Sequence, residues 1–368
     1  MKITFPHMGN LYIAITGFLE ELGVESVIPP KPSKAAINIG TTLSPESACL
    51  PLKVNIGDYI QALENGADTI LMAGGVGPCR FGYYCEVQKE ILKDAGYNFE
   101  MIVIEPPCGR PLTLLSKIRK LMGGASWTEL YRAGRMAWQK LLAVDEIEKM
   151  AHFIRPREVE RGSTSVIESK ALKLIHSAKT LTELKEASYQ GRKAFSALQV
   201  QEDRDVLKVG IVGEIYTILE PFVNLNTEQV LGHLGVQIER MIYMSDWVRA
   251  NIIPDALPFL SSEHKRTAKL AKPYLNHFVG GDGLESIGKS VEYSYRGFDG
   301  VIHLFPLTCM PEIVAKSLLP TISSDLDIPI TSLVLDEHTG EAGFITRLEA
   351  FVDLLRWRKA KGKTVANS

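Results

Sequence analysis

The sequence predicts an α/β protein of two parallel-sheet domains joined by a helical segment. Three observations carry that expectation: short apolar runs alternate with stretches of helical spacing at both ends of the chain, glycines punctuate the helical stretches, and a long charged middle section is poor in glycine and proline. At 368 residues and 45% hydrophobic composition the chain can bury more than one core, and the size prior is about two or three domains.

Residues 1–6 read as a first strand, 11–22 as a helix stopped by Gly23, and 24–28 as a second strand. Residues 53–65 have helical spacing up to Gly66, and 69–73 form a short buried-strand run ending in glycines. Helix returns over 84–95, Gly96 stops it, and 100–104 make another strand before Pro106-Pro107. Such βαβ succession packs as a mostly parallel sheet with helices on both faces, so residues 1–125 are assigned to an N-terminal α/β domain. Residues 126–205 carry Leu130, Ala133, Met136, Ala137 and Leu141 at helical spacing and read as a helical linker or insertion. Residues 206–368 form a second α/β domain, with strands expected at 206–212, 236–243, 300–305 and 329–335 and a helix over 346–359. The aromatic-rich stretch 245–297 is expected to decorate it.

Composition excludes several functions. Forty-one Lys plus Arg against 43 Asp plus Glu give a net charge of -2, no field for holding nucleic acid. The N-terminus reads as a strand rather than a signal peptide, and no apolar run approaches the ~18 to 20 residues that span a bilayer. A cytoplasmic location without membrane or nucleic-acid partners is expected. In a reducing compartment the five cysteines, Cys49, Cys79, Cys85, Cys108 and Cys309, do not form a disulfide framework.

Position makes the cysteines informative. Cys79 follows the strand at 69–73 through Gly74-Gly75-Val76-Gly77-Pro78, Cys108 follows the strand at 100–104, and Cys309 follows that at 300–305. Ligands of open α/β sheets bind beyond the carboxyl ends of the strands. Helix N-termini there favour thiolates and anionic clusters. Cys49 sits in a similar loop, leading into the helix expected from residue 53. Glycines such as Gly77 let a backbone approach a bulky inorganic cofactor and donate to its sulfides.

Other readings stay open. Free cysteine is often a small buried hydrophobe, zinc ligation is weakly matched by the five residues between Cys79 and Cys85, and a Cys/His nucleophile has His7, His303 and His338 as strand-end partners. Glu214 either acts as an acid/base group or caps the next helix. Asp336-Glu337-His338 and Glu341 fall in one glycine-containing loop, where two carboxylates can divide acid and base roles or simply form a solvated turn. Arg80 beside Cys79 can offset cluster charge or make a surface salt bridge. Gly210-Ile211-Val212-Gly213 lacks the full dinucleotide fingerprint, and Gly280-Gly281-Asp282-Gly283 reads as a flexible connection without a phosphate-loop ending.

Four segments resemble the 2-hydroxyacyl-CoA dehydratase subunits, in particular an activase-related branch once labelled as a domain of unknown function. They are residues 44–53 around Cys49, 77–84 around Cys79, 209–216 ending in Glu214-Ile215-Tyr216, and 335–343 with His338 and Glu341. Pro306-Leu307-Thr308-Cys309-Met310-Pro311 and residues 346–351 support the last. The resemblance covers nearly the whole chain except its helical middle. It implies two flavodoxin/Rossmann-like domains with a [4Fe-4S] cluster between them, in some relatives a double-cubane version. A separate ATP-dependent activase reduces that cluster, the substrate is an acyl-CoA, and the assembly is a homodimer or a heterodimer with a related subunit. Cys49, Cys79 and Cys309 match the family's cluster cysteines; Cys85 and Cys108 have no equally clear match. Three thiolates leave one iron open for substrate, water or a further ligand. A fourth cysteine ligand would close the cluster, favouring an electron relay or scaffold role over dehydration or reduction at iron.

Overall fold

The computed structural model describes residues 1–75, 79–104, 111–251 and 262–366. The first lobe runs β1 (Lys2–Thr4), α1 (Tyr12–Glu21), β2 (Glu25–Ser26), α2 (Lys34–Leu43), α3 (Leu50–Glu64), β3 (Thr69–Ala73), α4 (Phe81–Asp94), β4 (Glu100–Ile104) and α5 (Pro111–Met122). Its strands pair in the order β2-β1-β3-β4, all parallel. Then come α6 (Trp127–Ile154), α7 (Ser163–Ser177) and α8 (Leu181–Ser196). The second lobe runs β5 (Leu207–Gly213), α9 (Ile215–Leu219), α10 (Thr227–His233), β6 (Val236–Arg240), α11 (Met244–Asn251), α12 (Ser262–Ala271) and α13 (Gly283–Tyr295). It closes with β7 (Gly300–Pro306), α14 (Met310–Asp325), β8 (Ile330–Leu335) and α15 (Glu341–Ala366). The second sheet repeats the topology as β6-β5-β7-β8, again all parallel. Both are the 2-1-3-4 order of Rossmann/flavodoxin-like domains, the α/β class the sequence predicts.

Local chemistry explains most of these elements. All seven residues of β7 are buried, as expected for a central parallel strand covered by helices on both faces. Gly66, at φ 94, ends α3 in the left-handed conformation that only glycine adopts freely. Ser126 begins α6 with a reciprocal capping box: its hydroxyl accepts from the Glu129 amide, and the Glu129 carboxylate accepts from the Ser126 amide.

Three elements depart from expectation. The strand expected at 24–28 is only Glu25–Ser26, although the Val27 amide still donates to the Ile3 carbonyl at 2.8 Å. Helix α2 has no strong propensity; Ser33 caps it, and Gly40 lets it lie against the backbone of Lys53. Gly57 on α3 answers from the other side, where a Cβ would stand 1.9 Å from the Ala36 carbonyl oxygen. The stretch 245–297 is more than decoration, because it supplies α13, which packs against β5, β7 and α14.

The lobes are not separable bodies. Ala14, Leu50 and Val54 of the first lobe share one core cluster with Leu141 of α6 and with Val209, Ile211, Val301 and Ile302 of the second sheet. Helix α6, 28 residues and about 42 Å long, packs on α1 and β6. A buried ionic chain reinforces that seam: Glu148 of α6 bonds Arg240 of β6, and Arg240 also faces Glu228, which accepts from His152 at 2.8 Å. Among the described residues no helix is long and apolar enough to cross a membrane.

Candidate metal centre between the two sheets

Strand order reverses between β1 and β3 and again between β5 and β7, and such points are where open α/β sheets bind ligands. The two carboxyl-end edges meet. After β1, the His7 imidazole bonds the Glu220 carboxylate of the second lobe at 2.9 Å, and the Gly9 amide donates to it at 2.8 Å. After β3, Arg80 donates to the Ser47 carbonyl at 3.0 Å and to the Thr308 carbonyl of the second lobe at 2.6 Å. That guanidinium ties the loop before Cys49 to the residue before Cys309.

Cys49 is the N-cap of α3 and Cys309 the N-cap of α14, each with proline in the helix's first turn, where no intrahelical N–H is needed. Neither thiol forms a capping hydrogen bond. Cys79 immediately precedes Arg80, the N-cap of α4. Glu214 follows β5 and caps α9, accepting from the Tyr216 amide at 3.0 Å, the Thr217 amide at 2.9 Å and the Thr217 hydroxyl at 2.7 Å. The capping reading therefore holds for its side chain, while its charge still reaches all three thiols. Cys49 in turn feels the charge of Cys79, and Cys309 feels that of Cys49.

Electrostatically the site is crowded with acids. Burial pushes the Cys49 thiol up to about 12, against the opposing pull of the Tyr84 hydroxyl, 2.8 Å from Sγ. Burial raises Cys79 against the Phe81 amide that faces it, with Glu214 and Asp282 adding to the rise and Arg80 opposing it. Cys309 is raised by burial, then by Glu214 and Glu312. Asp282 is held well above the usual carboxylate range by burial and by Glu312, Glu214 and Glu285. The helix N-termini expected to favour thiolates are in place, but burial outweighs them at all three thiols. Among the described residues no three His, Cys, Asp or Glu side chains are close enough to hold a single metal ion. This is not the tight tetrahedral set of structural zinc. Cys49, Cys79 and Cys309 are soft donors offered from three separate loops.

No model of a known protein family matches the chain, and no curated protein matches it.

The remaining candidates fall elsewhere. Cys85 is 4% exposed on α4, in the first lobe's apolar core with Tyr59, Met72 and Leu92. His338 and Glu341 are exposed on the loop after β8 and the first turn of α15. Their neighbour Glu337 instead pairs with the buried Lys53 of α3. His303, fully buried, bonds Glu312 at 2.8 Å and Ser332 at 3.0 Å. Gly77 and Cys108 lie outside the described residues. Sequence reasoning missed Tyr84, Asp282 and Glu312; the repeated Cys-x-Pro of Cys49-Leu50-Pro51 and Cys309-Met310-Pro311 was the available pointer to paired helix N-termini.

Proposed function

We propose that this chain carries an iron–sulfur cluster of the [4Fe-4S] type, held by Cys49, Cys79 and Cys309, and uses it for low-potential electron chemistry of the 2-hydroxyacyl-CoA dehydratase kind. One observation carries the reading: Arg80, directly after Cys79, bonds the Ser47 carbonyl two residues before Cys49 and the Thr308 carbonyl next to Cys309, which brings the three cysteine-bearing loops of both lobes together at the carboxyl ends of two parallel sheets. The bound cluster supplies one-electron reduction. The chain's own residues would hold and shield it: Arg80 offsets negative charge and fastens both lobes at that edge, and the Tyr84 hydroxyl, 2.8 Å from the Cys49 sulfur, is placed to donate to it as a thiolate.

Without a phosphate-binding motif of its own, the chain depends in this reading on a separate ATP-hydrolysing activase. An acyl-CoA is the proposed substrate, and a homodimer or a heterodimer with a related subunit is the proposed assembly. Anaerobic purification with iron and sulfide analysis is the test. The full chain should hold both in equal amounts, and Cys309→Ala should lose most of them. A folded chain that takes up no iron and sulfide on reconstitution sinks the reading, and full iron content in C309A sinks the location between the lobes. A spectrum that shifts on adding acyl-CoA marks catalysis at iron, whereas an indifferent one marks an electron relay.

A further inference from the structure

Along its second half, helix α6 has more apolar surface than its neighbours cover. Ala143, Ile147 and Ala151 pack with Ile175 and Phe195 in the core of the helical segment, and Leu141 joins the core shared by the lobes. A further stripe, Leu142, Asp145, Lys149, Met150 and Phe153, falls at the spacing of one helical face and lines a cavity of about 890 Å³. The other walls are Phe195 and Leu198, at and just after the end of α8, and Asp246 and Arg249 of α11. Small-molecule sites have volumes of ~300–1,000 Å³ and combine apolar walls with a few polar groups. We infer that this cavity binds an organic monoanion with an apolar body, an aryl or medium-chain acyl carboxylate. No residue of the cysteine site lines it, so it does not depend on the cluster reading.

The charges that line the cavity select an anion. Among the described residues neither Lys149 nor Arg157 pairs with a carboxylate: the Lys149 ammonium lies over the Tyr243 ring, 4.2 Å from its centroid, and Arg157 donates to the Phe153 carbonyl at 2.6 Å and to the Gln237 side chain at 2.8 Å. Burial holds the Arg157 pKa below the ordinary guanidinium value, with no carboxylate to raise it. Arg249 carries a buried Nε without a hydrogen-bond partner, a donor that an acceptor in the cavity would satisfy. The acids are mostly committed elsewhere. Asp145 accepts from the Ser245 amide at 3.0 Å, Glu146 holds Arg192 at 3.0 Å, and Asp246 lies 3.9 Å from Arg249. Only the exposed Glu202 at the rim stands against Lys149 and Arg157, so about one positive charge is left for a ligand. The guanidinium of Arg157, 4.1 Å over the Phe153 ring, gives that anion a cation beside an apolar face.

The test is titration of the purified full-length chain with anilinonaphthalene sulfonate, a monoanion with an aromatic body, read by its fluorescence. Near-UV circular dichroism establishes that each protein is folded, since a loosened core also takes up this dye. One saturable site per chain is expected, from which decanoate displaces the dye and decanol, its uncharged counterpart, does so about tenfold less well. Lys149→Met and Arg157→Met should each weaken binding by about tenfold. Met150→Trp, which fills the cavity, should abolish it, and Lys170→Met, at an exposed position of α7 outside the cavity, should leave it unchanged. Lys149 is exposed, so K149M carries the test if R157M, which also loses its bond to Gln237, does not fold. Folded wild-type protein without a saturable site, or binding unchanged in K149M and M150W, overturns the site. Decanol displacing the dye as well as decanoate does overturns the selection of an anion.

Discussion

At the scale of single residues, the fold holds acids protonated in places where only a cation or a proton relieves them. For Cys49, raised to about 12, the thiolate fraction at pH 8 is on the order of a thousandfold below that of an ordinary cysteine. Alkylation of metal-free protein should therefore be slower at Cys49 than in an unfolded control by about that factor, as peptide mass mapping will show; ordinary reactivity would mean that the burial is not maintained in solution. Asp58 is a second case. It is fully buried on α3 with neither carboxyl oxygen hydrogen-bonded, and burial, reinforced by the charge of Glu220, raises it to about 8. Glu220 itself is engaged by His7, and the Tyr59 and Tyr216 hydroxyls also feel the Asp58 charge. Between about pH 4 and 8 the unfolded chain releases a proton that the folded chain keeps, so stability falls as pH rises through that window, by at most ~1.4 kcal/mol per unit. Asp58→Asn should flatten this slope and be more stable than wild type at pH 8. Denaturant titrations at pH 5 and pH 8 check it, and equal slopes in both proteins would place an ionised Asp58 in the fold.

At the scale of elements, identical substitutions are expected to have opposite signs. Gly57→Ala puts a methyl group 1.9 Å from the Ala36 carbonyl oxygen at the α2/α3 crossing and should destabilise by about 1–3 kcal/mol. Gly134→Ala, in the exposed middle of α6 where nothing lies within 4 Å of a new Cβ, should stabilise by about 0.5–1 kcal/mol. Urea midpoints decide both. The same contrast explains what the sequence disclosed. Strands β3 and β4 fall where their apolar runs place them, because each is a short β-rich run set off by local turn residues, although β3 is central and largely buried and β4 lies at the sheet edge. Helix α2 was invisible because its reason for being helical lies in α3, through Gly40 and Gly57, and not in its own residues. The cysteines at strand ends were legible from order along the chain. Asp282 was not, because a run of three glycines around one aspartate reads as slack until the crossover into β7 fixes its place.

At the scale of the whole molecule, a core cluster shared by both lobes and the ionic seam under α6 make independent unfolding of either sheet costly. Denaturation followed by far-UV and near-UV circular dichroism should therefore trace one coincident transition. Two separated transitions would show that the shared cluster contributes little. Val54→Ala, a fully buried first-lobe change against the second lobe, should move that single transition as a unit. The shared cluster also bears on how the polypeptide is made. Ala14, Leu50 and Val54 emerge from the ribosome long before Val209 and Val301 exist to cover them, so the nascent N-terminal half presents a greasy face to the cell for most of translation and becomes a customer for chaperones until the last strands are synthesised.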